Sequence, residues 1–155
     1  MTLDAYLEEK NTILRGIRGK EAKIRFLYER ATSSTARYRD TPGGSGGRGH
    51  AQVEGAVAEA EEIRDTIRAD WERAEMLDVE FRRGLDSIGD PALAVVLELR
   101  YIEDGSWKDI AKSMGYSVRQ MHRLRNEAAD RLRAAEAEKS SHNVTPFHLD
   151  SLPQT

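Results

Sequence analysis

The chain has 155 residues, a third of them charged, with no cysteine, few aromatics and a formal net charge of −3. That composition excludes a disulfide scaffold and a thiolate metal site, and it suits long solvated helices better than an enzyme built around a deep pocket. No stretch has the apolar length of a membrane span and the N-terminal MTLDAYLEEK has no signal-peptide core, so the expectation is a cytoplasmic protein with no membrane partner.

Charge is distributed unevenly. Residues 1–50 hold ten Lys/Arg against six Asp/Glu, whereas Ala51 to Asp90 holds five arginines against twelve carboxylates. Ser117 to Arg133 swings back, with five arginines against Glu127 and Asp130. Charges farther apart than about 8–10 Å are largely screened at physiological salt, so local sign rather than net charge decides whether phosphate is attracted. An acidic chain can present a basic head.

Taken in order, Leu3 to about Tyr38 reads as a helix. Leu3, Ile17, Ile24 and Ala31 share one heptad position, and Tyr6, Ile13 and Leu27 share another. Lys10 and Lys20 interrupt that seam, and Gly16 and Gly19 weaken the helix, so it needs a partner. The run Thr41 to Gly49, TPGGSGGRG, breaks it and reads as a linker: glycine-rich, but without the lysine and the flanking strand of a phosphate loop. A second helix is predicted from Ala51 to about Ile88, on the order of 55 Å long. Its stripe is Val53, Val57, Ala60, Ile63, Ile67, Trp71, Ala74, Leu77, Phe81 and Leu85, with Trp71 expected in the core. Two amphipathic helices of opposite charge around a flexible loop predict a coiled-coil-like antiparallel hairpin; pairing between two chains is the open alternative.

Asp90-Pro91 opens a third helix, with aspartate as N-cap and proline at the first helical position. Pro91 to Ile102 is apolar on most sides, which predicts the buried scaffold of a small helical domain. Asp104-Gly105 ends it. The next stretch, SWKDIAKSMGYSVRQMHRLR from Ser106 to Arg125, reads as a complete helix-turn-helix. Ser106 and Asp109 suggest a cap, and Ile110, Ala111 and Met114 give a face to bury. Gly115 sits where a tight turn calls for positive φ, and Ser117 with Gln120 makes an S-x-x-Q capping box. Met121, Leu124, Ala128 and Leu132 then recur at three and four residues. From Lys139 to Thr155 a mobile tail is expected. The predicted organisation is all-α: a helical pair over 1–89, a helix-turn-helix domain over 90–138 and a tail over 139–155.

With Met121, Leu124 and Ala128 inward, a step of about 100° per residue points Arg119, Arg123 and Asn126 outward, with Gln120 and His122 on the shoulders and Arg133 one turn on. Arginine bonds guanine bidentately, and asparagine or glutamine does so with adenine. The candidate DNA-binding residues are therefore Ser117, Val118, Arg119, Gln120, His122, Arg123, Asn126 and Arg133. No catalytic residue, cofactor or metal site is expected. In particular, His50, His122, His142 and His148 are read as lacking the i, i+4 pairing with acids that would suggest zinc.

The segment Leu99 to Leu132, LRYIEDGSWKDIAKSMGYSVRQMHRLRNEAADRL, resembles region 4 of bacterial sigma factors, which reads the −35 promoter element. The whole order of parts, with the D-x-P-G-G-S-G loop at Asp40 to Gly47, is similar to the RinA/ArpU-type phage transcriptional regulators. The resemblance implies control of phage or prophage late genes, with double-stranded DNA, RNA polymerase and a second copy of the chain as candidate partners and the nucleoid of the bacterial host as location. The chain departs from the sigma pattern where it carries Val118 and Arg119 instead of arginine then an acid, and Arg123 instead of a base-contacting glutamine. The −35 preference is therefore not carried over. No segment resembles the sigma parts that melt promoter DNA or clamp polymerase, which favours an activator over an autonomous sigma factor. Two other readings stay open: a DNA-packaging subunit like a small terminase, and a helical adaptor that binds no DNA.

Overall fold

The computed structural model describes residues 1–39 and 47–142, leaving aside the side chains of residues 34–39 and 48. Of the linker expected over Thr41 to Gly49, residues 41–46 lie outside the described residues and 47–49 open a helix; of the tail expected over 139–155, residues 139–142 are helical and 143–155 lie outside the described residues. Among those described there is no strand. The elements are α1 (Leu3–Arg39), α2 (Gly47–Leu85), a turn of 3-10 helix (Asp86–Ile88), α3 (Pro91–Tyr101), α4 (Trp107–Met114) and α5 (Val118–His142). Helix α5 thus runs four residues beyond Glu138, and α2 begins four residues before Ala51. Among the described residues, no helix is long and apolar enough to cross a membrane.

The chain divides into two compact units, one of residues 7–78 and one of residues 1–6 with residues 79 onward. In the first, α1 and α2 are joined by ion pairs: Glu9 with Arg73, Lys10 with Asp78, Lys20 with Asp70 and Lys23 with Glu59. From Lys10 through Lys20 to Lys23 the partner numbers fall from Asp78 through Asp70 to Glu59, so within this unit the two helices run antiparallel. Ile13, Ile17, Ala31, Ala60, Ala74 and Leu77 are buried. Lys10 and Lys20, which break the apolar seam of α1, are the residues that reach aspartates of α2; Lys10 Nζ lies 2.9 and 3.1 Å from the two carboxylate oxygens of Asp78. The seam's polar interruptions are matched. Trp71, expected in the core, is 47% exposed. At about 100° per residue it stands on the shoulder of the Ala60, Ala74 and Leu77 face, where α1 does not cover it.

The second unit is held by α3, α4, α5 and the ends of α1 and α2. Tyr6 and Phe81 are fully buried and stacked face to face, their ring centroids 3.9 Å apart. The Tyr6 hydroxyl donates to the Tyr101 carbonyl at 3.0 Å, which closes the last turn of α3. A deeper cluster joins Val96 of α3, Ile110 and Ala111 of α4 and Met121 of α5, with Leu99, Trp107, Met114 and Leu124 packed around it.

The helix starts form as the residue pattern predicts. The Asp90 carboxylate accepts from the backbone N–H of Ala92 and Leu93 with Pro91 at the first position. The Ser106 hydroxyl accepts from the Asp109 N–H and donates to the Asp109 carboxylate. Ser117 and Gln120 cap each other reciprocally, the Gln120 N–H reaching the Ser117 hydroxyl at 3.2 Å and the Ser117 N–H reaching Gln120 Oε1 at 2.8 Å. Between α4 and α5, Gly115 takes φ +73°. The Tyr116 N–H bonds back to the Ala111 carbonyl and the Gly115 N–H to the Lys112 carbonyl, the paired bonds of a Schellman ending. Gly105 serves a different purpose: a Cβ there would stand 2.8 Å from the Leu99 carbonyl oxygen, so only hydrogen fits.

Two measurements check this account. A Cβ at Gly115 would meet nothing within 4 Å, so the cost of substitution there is conformational alone. Gly115→Ala is expected to lower the unfolding free energy by about 1–2 kcal/mol, Gly115→Val by more and Gly115→Asn by less, read from urea titrations. An alanine variant as stable as the wild type contradicts the left-handed turn. The Lys10 and Asp78 side chains are only 15% and 23% exposed, between the surface and buried regimes. Asp78→Ala is accordingly expected to cost about 1–2 kcal/mol, and Lys10→Met with Asp78→Leu to recover most of it.

Candidate nucleic-acid interface

Burial of one side of α5 decides what the other side offers. Met121, Ala128 and Leu132 have no exposed surface, and their direction fixes the rotation of the helix about its axis. At about 100° per residue Arg119 and Arg123 project from the far side. Both are exposed, and neither makes a hydrogen bond or ion pair with any described residue. On α4, Lys108 and Lys112 are likewise exposed and unpaired among the described residues. Nearby carboxylates are otherwise engaged: Asp109 by Ser106, Glu127 by Arg131, and Asp130 by Arg133.

The remaining candidates divide by what holds them. The side chains of Ser117 and Gln120 close the capping box, so their oxygens face the helix end. His122 lies against the Trp107 indole with ring centroids 4.8 Å apart. Asn126 accepts from the Arg125 guanidinium at 3.1 Å, which occupies the carbonyl half of an amide that adenine recognition would need. Arg133 sits between Asp130 at 3.0 Å and Asp4 at 3.4 Å, its charge compensated. Val118 is 41% exposed on the first turn of α5. Of the eight residues, Val118, Arg119 and Arg123 therefore stand uncommitted at the N-terminal end of the helix.

Arg125, not among those eight, has a structural task. Its Nε donates to the Tyr101 hydroxyl at 2.9 Å and its guanidinium lies 5.9 Å from the centre of that ring. Trp107 meets Tyr101 edge to face, with the Arg100 guanidinium 5.4 Å from the indole. Arg100 also donates to the Gly105 carbonyl at 2.8 Å. These contacts tie α3, α4 and α5 together beneath the exposed side chains. The run of arginines in the sequence does not distinguish Arg125 from its neighbours; its place 40° from the buried Met121 is the only available sign.

His50 does stand at i, i+4 from an acid, its Nε2 3.1 Å from Glu54, which corrects the reading that no histidine is so paired. Both are exposed, and among the described residues no group of three or more His, Cys, Asp or Glu is placed to hold a metal ion. No family model matches the chain, and no curated protein and no solved structure matches it.

The division of labour among the arginines is measurable by thermal unfolding. Arg125→Ala is expected to lose about 1–2 kcal/mol through the lost charged hydrogen bond and ring contact. Arg119→Ala and Arg123→Ala are expected to stay within about 0.5 kcal/mol of wild type. Equal destabilisation by all three contradicts the assignment.

Proposed function

We propose that the chain is a sequence-specific DNA-binding regulator, an activator of the RinA/ArpU type, which reads the major groove with a helix-turn-helix formed by α4, the Gly115 turn and α5. In this reading α5 is the recognition helix of a sigma region 4-like module. The paired α1 and α2 act as a hairpin that supplies dimerisation or a contact to RNA polymerase. The observation that carries the reading is the pair of exposed guanidiniums of Arg119 and Arg123, unpartnered among the described residues and set opposite the buried Met121 on a helix whose rotation the core fixes. A free guanidinium on a rigid helix suits the O6/N7 edge of guanine, and Lys108 and Lys112 add cations for phosphates.

Selection of bound fragments from host and phage DNA supplies the cognate duplex. On that duplex Arg119→Ala and Arg123→Ala are each expected to weaken binding by about 1–3 kcal/mol, or roughly 5- to 150-fold, while binding to random duplex changes little. Equal loss on both duplexes reduces the arginines to phosphate contacts. Absence of any salt-sensitive duplex binding removes the reading in favour of an adaptor, and a ring of many subunits by mass measurement favours a packaging subunit.

A further inference from the structure

Val118 is hard to explain by the stability of α5 alone. The helix start is already closed by Ser117 and Gln120. The first helical position favours proline or an acidic side chain that answers the positive end of the helix dipole. Here the first turn has no carboxylate; it carries Arg119, unpaired among the described residues, and, beside it, a β-branched apolar side chain left 41% exposed. A helix end with no carboxylate in its first turn, beside a guanidinium without a partner among the described residues, suits an anionic partner, and the exposed isopropyl group suits an apolar feature on that same partner. Within the major groove of duplex DNA one base edge offers such a feature, the C5-methyl of thymine.

Building on the DNA-binding reading above, we infer that Val118 is a specificity residue that packs on the C5-methyl of a thymine, next to a guanine bonded by Arg119. Adjacent Cα atoms are about 3.8 Å apart and successive bases of one strand about 3.4 Å. The thymine and the guanine therefore lie within about two base pairs of each other. The contact is apolar and carries no charge, so it changes which sequence is bound and leaves the salt dependence as it is.

The test uses the full chain and a duplex selected with it from a random-sequence library. Each thymine in the selected site is replaced in turn by deoxyuridine, which removes the methyl and keeps the base pair. At one position near a guanine, the wild type is expected to lose about three- to tenfold in affinity, the scale of one buried methyl group. Val118→Ser and Val118→Ala are expected to bind the thymine and deoxyuridine duplexes equally, with an unchanged dependence on salt. A selected site without thymine, a wild type indifferent to every replacement, or a penalty that persists in both variants overturns the inference while leaving DNA binding intact. Failure to select any duplex instead removes the reading on which it rests.

Discussion

Burial of Met121 is the constraint on which the candidate interface depends. Met121 has no exposed surface and is enclosed by Val96, Ile110 and Ala111 from two other helices. Because those neighbours come from both α3 and α4, α5 cannot roll without opening a void in all three contacts, which close packing penalises steeply. The direction of Arg119 and Arg123 is thus a consequence of where a methionine goes. Three side-chain devices reinforce it: the Ser117–Gln120 box, the Gly115 turn and the Arg125–Tyr101 bond. Each acts on a different degree of freedom, respectively the helix start, the crossing of α4 and α5, and the approach of α5 to α3.

A second kind of specification operates in residues 7–78. An uninterrupted apolar seam leaves two helices free to slide by a turn at little cost. Lys10 and Lys20 remove that freedom, since slippage strands each ammonium against apolar surface and leaves Asp78 and Asp70 without partners. What looks in the sequence like a flaw in the heptads of α1 is, in the structure, the feature that sets register. Three carboxylates of α2, Glu59, Asp70 and Asp78, stand where α1 brings lysines.

Local features of the fold were legible in the sequence, and distant ones were not. The caps at Asp90, Ser106 and Ser117, the turn at Gly115 and the inward face of α5 all follow from residues three or four apart, where backbone geometry alone decides who meets whom. Tyr6 on Phe81 could not be found this way, since the partners are far apart in the chain and each stripe names only a face, not the facing residue. For the same reason a periodic stripe promised burial for Trp71, whereas coverage depends on how wide a face α1 can shield. The candidate site was legible as a group of eight but not in its division. Only the contacts reveal that Arg133 and Asn126 are engaged, that His122 rests on Trp107, and that Val118, Arg119 and Arg123 stand uncommitted.

On the proposed reading, that division also bears on how a chain with more acids than bases approaches a polyanion. Arg131 and Arg133 are matched by Glu127, Asp130, Asp90 and Asp4, so the distal part of α5 is nearly neutral toward a distant phosphate. At the α4 and α5 end Arg119, Arg123, Lys108 and Lys112 have no carboxylate partner among the described residues, a condition that Arg15, Arg18, Arg25, Arg30 and Arg83 share on α1 and α2. On the proposed reading this has a consequence for assembly. The four such cations of a single head release few counterions, and the first turns of α5 reach only a few base pairs, which is too little information to mark one site in a genome. Two heads held at a fixed separation multiply both the affinity and the sequence length read, and linkage of this kind needs a rigid element outside the head. On the proposed reading that element is the pair formed by α1 and α2, whose ends also supply Tyr6 and Phe81 to the core of the head.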